Sequence, residues 1–130
     1  MSPSPPRMRA KSAFGHSRIW WLLNDRGNCQ PAAVLADTRE RDRVTYERML
    51  AILDHTDQSG PPANRSQFNP LGGGLVEFKV SKPGTLRLYA TQLGSGWVIV
   101  YGGGKGTQSR DIATARKRLK ALKDRGCDHG

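Results

Sequence analysis

LVEFKV at residues 75–80, TLRLYA at 85–90 and WVIVY at 97–101 decide how this chain folds. In the first run Val76, Phe78 and Val80 alternate with Leu75, Glu77 and Lys79. In the second, Leu86, Leu88 and Ala90 alternate with Arg87 and Tyr89. A period of two is that of a pleated strand. The links between the runs are short, Ser81-Lys82-Pro83-Gly84 and Leu93-Gly94-Ser95-Gly96, so the strands are expected to form an antiparallel meander. On that reading Lys79, Arg87 and Tyr89 share the outward, polar face.

A glycine-rich corner, Gly102-Gly103-Gly104-Lys105-Gly106, follows and opens a last helix. There Ile112, Ala115, Leu119 and Leu122 make a narrow apolar stripe, Ser109 and Asp111 suit the start, and Gly126 suits the stop. Upstream, Ile19–Leu23 reads as a short buried strand ended by the turn Asn24–Asn28. Helix is expected after Pro31, and from Thr38 to about His55 the residues Val44, Tyr46, Met49, Leu50 and Leu53 recur at three- and four-residue steps. Ser59–Leu71, with Pro61, Pro62 and Pro70, reads as a loop, residues 1–15 as a disordered basic arm and 126–130 as a flexible tail. The order strand, two helices, three strands, helix makes an α+β domain.

The chain has 130 residues, enough for one small core. Twenty-one Lys and Arg against 11 Asp and Glu give a net charge of +10, and the sequence pI is about 10.3 with a mean hydropathy of −0.61. Residues 25–74 are nearly neutral, so the excess lies toward both ends. Such a balance attracts polyanions: nucleic acid, an anionic membrane surface or an acidic protein. No apolar run is long enough to span a bilayer, and the first fifteen residues hold no apolar secretory segment. Cys29 and Cys127 stand near opposite ends, and His16, His55 and His129 are scattered. Neither set has metal-ligand spacing, so no metal or other cofactor is expected and the setting is read as cytoplasmic.

The glycine corner is no phosphate loop of the nucleotide-binding kind, because Gly106 follows Lys105 where serine or threonine is required. It reads as a strand-to-helix connection that brings Lys105 close to a polyanion. The polar face of the meander admits two readings. Lys79 and Arg87 beside Tyr89 suit one phosphodiester, two cations for its oxygens and a phenol for proton transfer. Equally, the face is ordinary solvated sheet with Glu77 pairing Lys79 or Arg87. The cluster Arg110, Arg116, Lys117, Arg118, Lys120, Lys123 and Arg125, with only Asp111 and Asp124 near it, suits contact with phosphates. Trp20, Trp21 and Trp97 read as core.

The stretches LGGGLVEFKV, TLRLYA and GWVIVYGGGKGTQSRDIATARKRLKAL, together about residues 70–123, resemble the RelE/ParE superfamily of type II toxins, in particular its HigB-like, phage-derived branch. The resemblance implies two N-terminal helices packed on a twisted antiparallel sheet of about four strands, with a C-terminal helix, in a single toxin domain over 16–125. It implies a metal-independent endoribonuclease that cleaves mRNA on the ribosome, with an acidic or helix-turn-helix antitoxin as partner and no membrane. Carried over by position, Arg87, Lys79 and Lys105 hold the phosphate, and Gln108 and Arg110 are further RNA-contacting groups. Glu77 stands where several members have a cation, and Ile112 where some have a late tyrosine, which leaves Tyr89 as the substitute proton-transfer residue. Arg116, Lys117 and Lys120 would meet RNA phosphates. The alternatives are a ParE-like gyrase inhibitor without enzymatic activity and a phage-derived basic nucleic-acid-binding protein.

Overall fold

The alternating runs of residues 75–101 form the middle of a larger sheet. The computed structural model describes residues 6–129. In chain order its elements are β1 (Met8–Ser12), β2 (Ile19–Leu23), α1 (Gln30–Arg41), α2 (Arg43–Ser59), β3 (Phe68–Gly72), β4 (Leu75–Val80), β5 (Leu86–Leu93), β6 (Gly96–Gly103), α3 (Gln108–Arg125) and β7 (Cys127–His129). The described strands make one mixed sheet in the order β3-β4-β5-β6-β2-β1-β7. Strands β4, β5 and β6 are the antiparallel meander, with Lys79 opposite Arg87 and Tyr89 opposite Tyr101.

The expected fold, two N-terminal helices on an antiparallel sheet of about four strands, is corrected in three respects. The chain opens with strands, the sheet has seven, and two of its pairings are parallel: β2 with β6 and β1 with β7. Residues 8–12, assigned to a disordered arm, hold a strand whose Met8 and Ala10 are buried while Arg9 and Lys11 are exposed. Its alternation is plain once the charged residues are placed on the outer side. Residues 127–129, assigned to the tail, pair with it, and Arg7 binds both the Asp128 carboxylate, at 2.6 Å, and the Cys127 carbonyl. The part of the arm at residues 1–5 lies outside the described residues. Strand β3 was read as loop because it contains Pro70. As an edge strand it tolerates a residue with no N–H to give.

Helices cover both faces of the sheet. On one side α1 and α2 pack Leu35, Met49, Ile52 and Leu53 against Phe78, Leu86, Leu88 and Ile99. On the other, Ala115, Leu119 and Leu122 of α3 pack against Leu75, Tyr89, Val98 and Val100. The face expected to be solvated is therefore largely roofed. Trp21 is core, and Trp97 packs edge-on against Phe68 and Phe78.

The stripe assigned to one helix from Thr38 to His55 is broken at Asp42, whose φ of −153° is not helical. Asp42 ends α1 and caps α2, accepting from the Thr45 amide at 3.1 Å and the Thr45 hydroxyl at 2.6 Å. Val44 is consequently 50% exposed rather than part of the apolar stripe. Those bonds from Thr45 hold the Asp42 carboxyl below its ordinary pKa. A depressed carboxylate stabilises the fold above its unfolded pKa, and that contribution is lost as pH falls through the native value. Asp42→Asn keeps a capping side chain and removes the titration. Urea midpoints of the two proteins are expected to differ most at about pH 7 and to draw together as the pH falls below the ordinary carboxylate range.

Candidate nucleic-acid interface

Arg87 lies on the α3 side of β5, and its side chain is only 13% exposed. Lys79 of β4 and Gly103 of β6 are its register partners. One guanidinium nitrogen, Nη1, donates to the Gly104 carbonyl at 3.0 Å, and Nε stands 3.7 Å from Oε2 of Glu77 with no hydrogen-bond partner. Glu77 is buried and accepts from the Gln108 amide at 3.0 Å. Of the two sequence readings of this face, the pairing of Glu77 with Arg87 is thus present, and Gln108 is occupied with the same carboxylate. A carboxylate so deeply buried requires its cation: removing one partner leaves an uncompensated charge in a medium that solvates it poorly.

The glycine corner is held from both sides. The Gly102 amide donates to Gln30 Oε1 at 2.8 Å, and Gln30 Nε2 returns a bond to the Gly102 carbonyl at 2.7 Å. Above Gly103 sits the Asp111 carboxylate, so close that a β-carbon at Gly103 would overlap it. Asp111 is buried and accepts from the Thr107 hydroxyl at 2.5 Å. Thr107 is the residue that starts α3, in place of the expected Ser109, and its hydroxyl is spent on Asp111. No side chain caps the helix, and its first-turn N–H groups stay open. They border a cleft of about 460 Å³ lined by Arg87, Gly106, Thr107, Gln108, Ser109 and Arg110. A guanidinium and the positive end of an 18-residue helix meeting in one cleft make a site for an anion.

The remaining sequence-derived site residues divide by their surroundings. Lys105 is exposed on the loop beside Gly104, and Arg110 is exposed on the cleft wall. Lys79 is half-buried, opposite Arg87 in register, and borders a second cleft between α2 and the end of β4. Tyr89 does not face solvent: it is fully buried under α3, and its hydroxyl has no hydrogen-bond partner. Burial, reinforced by the Glu77 and Asp111 charges and only partly opposed by Arg87, raises its pKa far above the ordinary phenol value. Its proposed proton-transfer role is corrected on that ground, because α3 seals off the group. Arg116 donates to the carbonyls of Leu71 and Gly72, and Lys123 to that of Gly73, so both clamp the β3–β4 turn. Arg118 binds the Val100 carbonyl and lies over the Tyr101 ring. Lys117 is exposed, and Lys120 pairs on the surface with Asp124. Gln30, Glu77, Thr107 and Asp111 complete the surroundings of the cleft. Glu77 is legible in the sequence as a partner of Lys79 or Arg87, and Asp111 as a residue of the helix start. The Thr107–Asp111 spacing of four is one helical turn, and nothing in the sequence marks Gln30.

Among the described residues no three His, Cys, Asp or Glu side chains gather as a metal-ligand set, and no helix is long and apolar enough to cross a membrane. The chain matches no family model and no curated protein.

The Glu77–Arg87 pair gives a stability test. Arg87→Gln is expected to cost about 3 kcal/mol, because it strands a buried carboxylate. Adding Glu77→Gln should recover most of that loss in urea denaturation.

Proposed function

We propose that this protein grips the backbone of RNA at the Arg87 cleft and cleaves it by transesterification, as a toxin-like endoribonuclease acting on mRNA in the ribosomal decoding site, in the cytoplasm. One observation carries the reading: the Arg87 guanidinium and the uncapped start of α3 converge on a single cleft, with Arg110 on its wall and exposed Lys105 next in the chain to its lining residue Gly106. The resemblance of residues 70–123 to RelE/ParE toxins adds the substrate, the ribosome and an antitoxin partner to the proposal.

In the proposed reaction the ribose 2′-oxygen attacks the adjacent phosphorus in line. The new 2′-O–P bond forms as the P–O5′ bond breaks, giving a cyclic phosphate and a 5′-hydroxyl. The 2′-hydroxyl proton passes to water and the leaving oxygen takes one from water. Arg87 and the open N–H groups of α3 stabilise the negative charge that builds on the non-bridging oxygens. Lys105 and Arg110 offset the charge of neighbouring phosphates. Arg87 is positioned for this by Glu77 and by the Gly104 carbonyl, which restrict its guanidinium without using all of its N–H groups.

A second reading, binding without turnover as a gyrase-directed or nucleic-acid-binding protein, is favoured by the sealed Tyr89 and by the makeup of the cleft, whose lining contains no histidine or carboxylate to act as base. Primer extension on mRNA with ribosomes separates the two. Glu77→Gln alone, which keeps the Gly104 contact of Arg87, is expected to lower cleavage far less than the double variant. The pair Glu77→Gln with Arg87→Gln, in which no buried charge is stranded, should lose about 100-fold or more. Equal cleavage by the single and double variants would remove Arg87 from the chemistry. Intact mRNA with salt-sensitive binding would establish the second reading.

A further inference from the structure

The second cleft, between α2, residues 60–67 and the end of β4, is larger, about 680 Å³. It belongs to the size range of small-molecule sites. Three cations border it, Arg48, Lys79 and Lys82, and none of its lining residues is acidic. Ile52 and Pro62 give it an apolar part, while Asn64 and Gln67 bring side-chain amides. Spacing on α2 explains the grouping, since Arg48, Ile52 and His55 fall at steps of four and three and share one side of the helix.

His55 adds a fixed acceptor. Its Nδ1 lies 2.9 Å from the Gly60 carbonyl. A carbonyl only accepts, so in the neutral ring Nδ1 carries the proton and Nε2 is the acceptor. Among the described residues the ammonium groups of Lys79 and Lys82 have no hydrogen-bond partner. Arg48 gives Nη1 to the Lys82 carbonyl at 2.6 Å and keeps further donors.

We infer that this cleft is a nucleotide subsite for single-stranded RNA, with the base against Ile52 and Pro62 and its phosphate among Arg48, Lys79 and Lys82. The inference rests on the proposed reading of RNA as the ligand. It does not require cleavage. Cations alone would accept any polyanion, but an apolar wall joined to amide groups and an imidazole acceptor matches a flat heterocycle with donors and acceptors at its edge. Only an unstacked base enters such a cleft, which selects single strands over duplex. Lys79 relates the subsite to the first cleft. It lines the second and is the register partner of Arg87 across the β4–β5 pair, about 5 Å away along the backbone. The first cleft opens on the α3 face of the sheet and the second on the α2 face.

The test is fluorescence anisotropy with a labelled single-stranded oligoribonucleotide, the full chain and four variants. Lys79→Ala with Lys82→Ala is expected to weaken binding about 10-fold and to lower the salt slope by about two. Ala51→Phe, at an exposed position on the wall, fills the cleft without altering charge. It should weaken binding while leaving the salt slope unchanged. Circular dichroism confirms that each variant is folded. Wild-type affinity in both variants would overturn the subsite, as would displacement of the RNA by polyglutamate as effectively as by unlabelled RNA, since an acidic protein would then be the better occupant. Glu77→Gln with and without Arg87→Gln keeps the two proposals apart. Weakening by the Arg87 change alone overturns only the subsite, weakening by the cleft variants alone supports the subsite and removes Arg87 from the interface, and no RNA binding by the wild type overturns both.

Discussion

The absence of side chains at Gly102 and Gly103 sets the geometry of the whole functional end of the sheet. Backbone polar groups at the end of β6 must be satisfied, and Gln30 reaches Gly102 from α1 to do so. On the opposite face Asp111 settles directly over Gly103, which brings the start of α3 down onto the sheet. Thr107 is then drawn to Asp111 instead of capping its own helix. The open helix end, the restricted Arg87 and the bond from Arg87 to Gly104 all follow from that approach. A methyl group at position 103 would disturb each of them together.

This dependence explains why the fold was only partly legible in the sequence. Runs with both alternation and turn residues, residues 75–80, 85–90 and 97–101, are local and were read correctly as strands. So was the helix carrying Ala115, Leu119 and Leu122. Pairings set by distant contacts left no local trace. Ile19–Leu23 is recognisable as a strand, yet nothing in it says that it lies parallel to β6. Met8–Ser12 has a correct alternation, but prolines and arginines around it resemble disordered composition. Cys127–His129 is too short to carry a period at all. At Asp42 the apolar spacing continues past a break that a single backbone angle creates.

At the site, residue type was legible and environment was not. Arg87 and Arg110 line the first cleft, and Lys105 directly precedes its lining residue Gly106 in the chain. Lys79 lines the second cleft while pairing in register with Arg87. Tyr89 shares a face with Arg87, so alternation alone ranks them as equals. Packing by α3 separates them: the long arginine reaches the edge of the roof while the phenol stays beneath it. Arg116 and Lys123 look like solvated cations on a helix until the β3–β4 turn is seen to offer them three carbonyls. His55 reads in the sequence as one of three scattered histidines, because α2 and the residues after it fold back toward β4 only in three dimensions.

The parallel contact between β2 and β6 also bears on how the molecule reaches its native state. Ile19 finds Trp97 only after both helices and the meander have been threaded between them. Closing so long a segment carries an entropic cost, whereas neighbouring hairpins close over a few residues. On that cost the β4–β6 meander is expected to form first and β2 to join it later, with β1 following. Until then one side of β6 is an unprotected strand edge, the place where self-association would begin at high concentration.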